Sequence, residues 1–166
     1  MKDLKTLAVV PGSFDPITVG HIDIIRRAAE QFNSVVVAVM INSSKEYMFT
    51  IEQRAAIAAE AVKDIAGVSV VSSEGMLWEL CRDLDADAIV KGYRNQADYD
   101  YELAMAKYNE EHYPDAKTVL LKSDDALEHI SSTLVREKIL SGADLEDFLP
   151  SAAISKIQEI ICKDKN

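Results

Sequence analysis

The sequence has few cysteines and no long apolar run, which excludes several classes of protein. Its two cysteines, Cys81 and Cys162, form no CxxC pair and have no histidine nearby, which excludes a disulfide framework and a zinc site. No apolar run approaches the ~20 residues that cross a bilayer, and the longest, at 35–41, has the length of a strand. The apolar stretch near the N-terminus is too short for a signal peptide, so we expect a cytoplasmic protein with no membrane partner.

Basic residues are outnumbered by acidic ones. The 166 residues include 18 Lys and Arg against 28 Asp and Glu, which gives a formal charge of −10. A surface of this sign does not hold nucleic acid by neutralising phosphates, so we expect no nucleic-acid partner. Any anionic ligand must instead be bound by a few cations gathered in one pocket.

Apolar strand-like runs alternate with amphipathic helical segments, without repeats, low-complexity tracts or linkers, and the length predicts one domain over residues 1–166. The predicted strands are 6–10 (ended by Pro11 and Gly12), 35–41, 68–71, 88–90 and 118–121. The predicted helices are 21–32, 50–65 (opened by a capping box at Thr50 to Gln53), 76–84, 98–113, 132–141 (stopped by Gly142) and 151–162. The last two helices belong to the same domain. This order predicts a doubly wound α/β fold, in which a five-stranded parallel sheet is covered by helices on both faces.

Ligands of such sheets bind beyond the carboxyl ends of the strands, so the loops after the first, fourth and fifth strands are the candidate site. The first loop, residues 11–21, reads PGSFDPITVGH and is neither a GxGxxG nor a P-loop fingerprint. Its glycines allow close backbone approach, Ser13 offers a hydroxyl, and His21 begins a helix whose free N–H groups favour an anion. From spacing alone, a phosphate site and a plain tight turn with a solvent-facing histidine both stay open.

Three segments resemble one family. Residues 13–21 are similar to the [ST]-F-D-P-x-[HTN]-x-G-H signature of the nucleotidyltransferase superfamily, which also contains class I aminoacyl-tRNA synthetases. Residues 91–102, KGYRNQADYDYE, and 130–137, ISSTLVRE, are similar to the R-G-L-R…D-F-E-Y-E and I-S-S-[ST]-x-V-[RK]-E segments of bacterial phosphopantetheine adenylyltransferases. The resemblance runs from about residue 7 to residue 150. It implies a Rossmann-like domain that transfers the adenylyl group of ATP to 4′-phosphopantetheine and releases pyrophosphate, a step of coenzyme A biosynthesis.

The resemblance also implies roles for individual residues. The implied catalytic residues are His21, which stabilises the reacting phosphate, Lys45 and Arg94. The implied ATP site comprises Ser13, Phe14, His21, Gly92, Tyr93, Arg94, Glu102, Leu127, Glu128, His129, Ile130, Ser131, Ser132 and Thr133. The implied phosphopantetheine site comprises Ser13, Lys45, Met76, Leu77, Lys91 and Asn109. Asp15 and Pro16 are expected to hold the shape of the first loop.

The chain departs from the family at two positions. Lys91 stands where the family has arginine, which keeps the charge but loses the bidentate fork. Leu127 stands where the family often has an aromatic residue near the adenine, so adenine recognition is expected to depend on backbone contacts and apolar packing.

Other interpretations of the same residues stay open. Met76 and Leu77 also suit ordinary core packing, and Lys45 also suits a solvated loop. The carboxylates of 98–102 could form a metal-binding cluster, although residues two apart on a helix do not share a face.

The sequence contains no dedicated carboxylate cage for a divalent cation, so we expect Mg²⁺ to enter with ATP, held by phosphate oxygens and water. The resemblance further implies that the chain forms a homohexamer and that coenzyme A is a feedback inhibitor. Two alternatives for the function are another cytidylyl- or adenylyltransferase of the same superfamily and a catalytically silent nucleotide-binding homologue.

Overall fold

One parallel sheet organises the fold. The computed structural model describes residues 6–165, and its strands are β1 (Leu7–Gly12), β2 (Ser34–Met40), β3 (Val68–Ser73), β4 (Ala88–Tyr93) and β5 (Lys117–Lys122). They lie in the order β3-β2-β1-β4-β5, and every pairing is parallel. The helices of these described residues are α1 (Val19–Gln31), α2 (Ile51–Val62), α3 (Leu77–Asp83), α4 (Gln96–His112), α5 (Ser132–Ser141) and α6 (Ser151–Asp164), with a 3₁₀ turn at Asp125–Leu127. The predicted doubly wound α/β fold is confirmed.

The sheet separates two cores of unequal size. Along β2, the side chains of Val35, Val37 and Val39 face the larger core, which α1, α2, α5 and α6 cover, whereas Val36 and Ala38 face the smaller one. This alternation follows from the two-residue period of a strand, and burial on both faces explains the continuous β-branched run. The smaller core is covered chiefly by α3 and the end of α4.

The strands separate at the point where their order reverses. β1 pairs with β2 along its whole length, from Leu7↔Ser34 to Gly12↔Val39, but its pairing with β4 ends at Val9↔Ile89. A crevice therefore opens between the carboxyl ends of β1 and β4, as expected at a topological switch point. The prediction that Pro11 and Gly12 end the first strand is wrong, because the pairing with β2 continues through both residues.

Several element boundaries also differ from the prediction. β3, β4 and β5 run beyond their apolar residues into polar ones, so 91–93 belong to β4 and not to the loop after it. α1 and α4 begin two residues early, because Thr18 and Asn95 act as N-caps. The capping box at the start of α2 and the glycine stop of α5, where Gly142 has φ 71°, are confirmed. Within the described residues, no helix combines the length and apolar character needed to span a bilayer.

Candidate active site

A cavity of about 620 Å³ lies at the carboxyl ends of β1 and β4. Its wall is formed by the first loop, the starts of α1 and α5, the end of β4, the first turns of α4 and the loop after β2. Thirteen predicted site residues line it: Ser13, Phe14, His21, Lys45, Lys91, Gly92, Arg94, Glu102, Leu127, Ile130, Ser131, Ser132 and Thr133. Loops and strand ends that are distant in sequence thus meet around one cavity.

Asp15 holds the first loop in shape, as its position in the motif led us to expect. Its side chain is 3% exposed, and its carboxylate accepts hydrogen bonds from the backbone N–H groups of Met48 (2.9 Å) and Phe49 (3.1 Å). The preceding Phe14 has φ 49°, in the left-handed region that non-glycine residues rarely occupy. Its buried ring packs edge-on against His21, with 5.0 Å between the ring centroids. The loop is therefore tied both to the segment before α2 and to α1.

His21 is the third residue of α1 and completes a capping box with Thr18. The Thr18 N–H donates to Nδ1 of His21 (3.0 Å), and the His21 N–H donates to the Thr18 hydroxyl (3.4 Å). Because a backbone N–H only donates, Nδ1 must be the unprotonated nitrogen, and the neutral ring carries its proton on Nε2. Burial, and next the positive charge of Arg94, lower the pKa of His21 from 6.5 to about 4. Near neutral pH this side chain is an uncharged hydrogen-bond donor at a helix N-terminus.

The start of α5 is fastened to the first loop. The Ser132 hydroxyl donates to the carbonyl of Pro16 (2.8 Å), and Arg136 donates to the carbonyl of Asp15 (2.9 Å). Ser131 caps the helix by accepting from the N–H of Leu134 (3.1 Å), and Thr133 accepts from Arg136 (3.0 Å). A hydroxyl that accepts still has its own O–H to donate, so Ser131 and Thr133 keep a donor for a ligand, whereas Ser132 has used its proton on Pro16.

Basic residues at the end of β4 are paired with acidic residues of α4. Lys91 Nζ lies 2.6 Å from a carboxylate oxygen of Glu102, and both side chains are largely buried. Arg94 donates from Nε and from its backbone N–H to Asp98, each at 3.2 Å. Asp100, the other carboxylate of this segment, accepts from the Gln96 amide at 2.8 Å. The acidic residues of 98–102 therefore have separate partners and do not converge on one point.

The cavity wall is electrically balanced by formal count. Among the described residues that line it, the basic side chains are Lys45, Lys91, Arg94 and Arg136, and the acidic ones are Asp15, Glu46, Asp98 and Glu102. Such a wall is more favourable to anions than the rest of a chain of charge −10, but it is not a strongly positive pocket. The N-termini of α1 and α5 border the cavity and add positive potential to that of the four cations.

Sequence reasoning missed three residues of this region. Arg136 lines the cavity. It follows Ser132 by four residues, so both lie on one face of α5, and this spacing could have predicted that Arg136 belongs to the site. Tyr47 lines the cavity from the loop after β2. Arg54 lies in α2, is 1% exposed, and sits beneath the Tyr47 ring with its guanidinium carbon 3.9 Å from the ring centroid. Arg54 precedes Ile57 and Ala58 by three and four residues and so lies on the apolar face of α2; this spacing was a usable signal for its burial but not for its contacts.

The structure does not bring six predicted residues to the cavity wall: Tyr93, Glu128, His129, Met76, Leu77 and Asn109. Tyr93 packs edge-on against Tyr99, and Leu77 packs against the smaller core. Met76 is 45% exposed at the start of α3, and Asn109 is buried in α4. The binding roles of these residues stay predictions.

The fold and the cavity define a nucleotidyltransferase of the class whose family model, cytidylyltransferase-like, matches residues 9–138. A solved structure from Vibrio parahaemolyticus, assigned as a nicotinate-nucleotide adenylyltransferase, shares the fold with a TM-score of 0.70 at 17% identity, covering 94% of this chain and 93% of that one. Curated relatives named phosphopantetheine adenylyltransferase are 42% identical over 154 residues in Heliobacterium modesticaldum (93% of this chain, 92% of the relative) and 44% identical over 148 residues in Micrococcus luteus (89% and 94%). The chain belongs to the phosphopantetheine adenylyltransferase family.

Proposed function

We propose that this protein transfers the adenylyl group of ATP to 4′-phosphopantetheine, forming dephospho-coenzyme A and pyrophosphate. The observation that carries the proposal is that His21, whose Nδ1 accepts from the Thr18 N–H and whose Nε2–H is left to donate, lines the cavity bounded by the N-termini of α1 and α5. The family to which the chain belongs supports the choice of substrates.

In this reaction an oxygen of the phosphopantetheine phosphate attacks the α-phosphorus of ATP, and the bond from that phosphorus to the bridging oxygen of the β-phosphate breaks. The electron pair of that bond leaves with pyrophosphate. No covalent intermediate with the protein is needed if the two phosphates are held in line, so positioning and charge stabilisation supply the rate. His21 then donates from Nε2 to an α-phosphate oxygen as negative charge develops there, and Lys45 and Arg94 neutralise the phosphates on either side.

The two substrates meet at Ser13 and His21 in this proposal. ATP lies along the Phe14 backbone, the end of β4 and the segment 127–133, where Ser131 and Thr133 have hydroxyl protons to donate. Phosphopantetheine lies against Lys45 and Lys91, with its arm directed toward Met76, Leu77 and Asn109. Met76 is 45% exposed but lies outside the cavity wall, so its contact with the arm stays a prediction, whereas the packing of Leu77 in the smaller core suits the structural interpretation.

Mg²⁺ belongs to the proposal as part of the ATP complex. Three of the four carboxylates in the described cavity wall already have partners: Asp15 binds backbone N–H groups, Asp98 binds Arg94 and Glu102 binds Lys91, whereas Glu46 stands alone. No group of three or more His, Cys, Asp or Glu side chains in residues 6–165 is arranged to hold a metal ion. The described residues thus do not fit a resident ion, and we expect phosphate oxygens and water to hold Mg²⁺.

The proposal includes a homohexamer in the cytoplasm that coenzyme A inhibits. Large apolar side chains of α4 that are exposed in the single chain, including Tyr101 and Leu103, support an assembly that covers them. The free thiols of Cys81 and Cys162 suit a reducing compartment. Coenzyme A shares the pantetheine arm with the substrate, so it would compete for the same subsite. Sedimentation velocity tests the assembly, and a stable monomer would contradict it.

The function is tested by offering the purified protein ATP or CTP together with phosphopantetheine, nicotinamide mononucleotide or glycerol phosphate. We expect pyrophosphate release and a product with the mass of dephospho-coenzyme A only from ATP with phosphopantetheine. Turnover of another pair would instead assign the chain to a different transferase of the superfamily. ATP binding without pyrophosphate release from any pair would indicate a catalytically silent homologue.

A further inference from the structure

Arg54 is a buried cation with no anionic partner. Its side chain is 1% exposed, and no carboxylate of residues 6–165 forms an ion pair with it. A buried charge is costly unless it is compensated by hydrogen bonds or by an ion of opposite sign. The position of Arg54 therefore needs a structural or functional explanation.

The guanidinium joins two loops of the cavity. Nη1 donates to the carbonyl of Ser13 in the first loop (2.7 Å) and to the carbonyl of Met40 at the end of β2 (3.0 Å). Nε donates to the carbonyl of Phe49 (3.2 Å). Met40 and Phe49 are the two ends of the loop that carries Lys45, so one side chain fixes both ends of that loop and its distance from Ser13.

Tyr47 completes this arrangement on the cavity side. Its ring covers the guanidinium, and its hydroxyl accepts from the N–H of Asn42 (2.6 Å) and lies beside the Ser13 side chain. The formal charges of the described cavity wall cancel, so the charge of Arg54 beneath Ser13 adds to a wall that has no net charge of its own.

We infer that Arg54 is a positioning residue of the transfer reaction: it sets the relative position of Ser13 and Lys45 and supplies positive potential beneath the phosphates without lining the cavity. The inference rests on the proposed adenylyl transfer, because these loops are the ones assigned to the two phosphates. A lysine keeps the charge but lacks the planar fork that reaches the three carbonyls, whereas a methionine has neither.

The test compares Arg54→Lys and Arg54→Met with the wild type and with Arg82→Met as a control. Arg82 also stacks on an aromatic ring, with its guanidinium carbon 5.4 Å from the Trp78 centroid, but it is exposed and does not line the cavity. Melting curves give the folded fraction at the assay temperature, and kcat is expressed per folded molecule. We expect kcat about 10- to 100-fold lower in both Arg54 variants, because small displacements of reacting groups cost this much. The KM for ATP should stay near the wild-type value in Arg54→Lys and rise about tenfold in Arg54→Met, where the charge is lost.

The inference is overturned if both Arg54 variants have the wild-type kcat and KM per folded molecule, even if their melting temperatures fall. Arg82→Met is expected to have these wild-type values. If neither Arg54 variant folds, Tyr47→Leu is compared with Tyr47→Phe, because both change a residue of the cavity wall but only leucine removes the ring that covers Arg54. A lower kcat in Tyr47→Leu than in Tyr47→Phe supports the inference, and equal kcat values overturn it. Binding of inorganic pyrophosphate, measured by calorimetric titration, does not depend on turnover. If the wild type is inactive on phosphopantetheine, the proposed function is refuted, but the inference about Arg54 is still tested by this binding. Weaker pyrophosphate binding by Arg54→Met than by Arg54→Lys would still support the inference, and equal binding by the two would overturn it.

Discussion

His21 both completes the capping box of α1 and presents an imidazole to the cavity. Its replacement by glutamine keeps the first role and removes the second. α2 begins with Thr50 and Gln53 in the same arrangement in which α1 has Thr18 and His21, and Gln53 accepts from the Thr50 N–H at 3.0 Å. A glutamine at position 21 therefore preserves the capping box of α1. It removes the imidazole and its titration, and the N–H groups of the glutamine amide, whose oxygen is held by the Thr18 N–H, are not expected to take the position of the ring Nε2–H.

The stability difference can be worked out from the pKa of His21, which is about 4 in the folded protein against 6.5 for an ordinary histidine. As the pH falls from 6.5 to 4, the unfolded chain binds a proton that the folded chain does not, so the free energy of unfolding decreases over this interval. Because one pKa unit corresponds to about 1.4 kcal/mol, the loss due to His21 reaches about 3 kcal/mol. Above pH 6.5 both states are neutral at this site and the contribution is constant.

The measurement is equilibrium unfolding in urea at several pH values between 7.5 and 4.5 for the wild type and His21→Gln. Histidines 112 and 129 are present in both proteins, so their titration cancels in the difference. We expect similar free energies of unfolding at pH 7.5 and a wild type that becomes progressively less stable than the variant toward pH 4.5. Parallel curves would refute the depressed pKa and the buried neutral ring.

Activity is measured on the same two proteins at pH 7.5. Loss of a donor from the position that faces an oxygen gaining charge costs about 10²–10³ in kcat, even if an amide N–H remains elsewhere. We therefore expect pyrophosphate release by His21→Gln to fall by this factor while its fold and stability are retained. A folded variant with wild-type turnover would remove His21 from the mechanism.

Three further substitutions are measured by urea unfolding at pH 7.5. Gly92→Ala should lose about 1–3 kcal/mol in free energy of unfolding, since its Cβ would lie 2.9 Å from Cγ1 and 3.1 Å from Cδ1 of Ile24. Ile24→Ala removes both atoms, so the double variant should lose less than the sum of the two single losses; additive losses would show that the clash is not the cause. Ser131→Ala should lower the free energy of unfolding by about 1 kcal/mol, because α5 loses its N-cap. Ser141→Ala, at the other end of α5, is the control, and equal losses in the two variants would contradict a specific capping effect. Asp15→Asn should lower the free energy of unfolding by about 1–3 kcal/mol, because the amide nitrogen then faces a buried backbone N–H to which the carboxylate was hydrogen-bonded. An unchanged urea midpoint would show that Asp15 does not hold the first loop in this way.

The sheet could be predicted from the sequence because burial on both faces leaves a direct trace in composition. The β-branched residues of β2 occupy both cores, so the strand has no polar face to confuse the pattern. The ends of the strands leave no such trace. Lys91 and Tyr93 continue the pairing of β4 with β5 although neither belongs to an apolar run, since pairing uses the backbone and not the side chain.

The site was predictable where local chain geometry determines it. The first loop and the serine run before α5 lie at helix N-termini, and a helix N-terminus offers free N–H groups whatever the rest of the fold does. The contacts of Arg54 could not be predicted, because its partner Ser13 is 41 positions away and the link depends on how α2 packs on β2. The pairing of Lys91 with Glu102 likewise depends on the angle at which α4 crosses the end of β4, which the spacing of the two residues does not contain.

The ion pairs of the cavity imply that its basic residues are not equally available to an incoming phosphate. Arg94 and Asp98 are 44% and 34% exposed, and an exposed pair contributes only about 0–1 kcal/mol, so exchange of the carboxylate for a phosphate costs little. Lys91 and Glu102 are 26% and 14% exposed, and breaking this pair would leave a largely buried carboxylate without its cation. A phosphate near Lys91 therefore gains most if it adds to the pair and leaves it intact. The ammonium has three donors and can serve Glu102 and a phosphate together, so the departure from arginine at this position remains compatible with a phosphate contact.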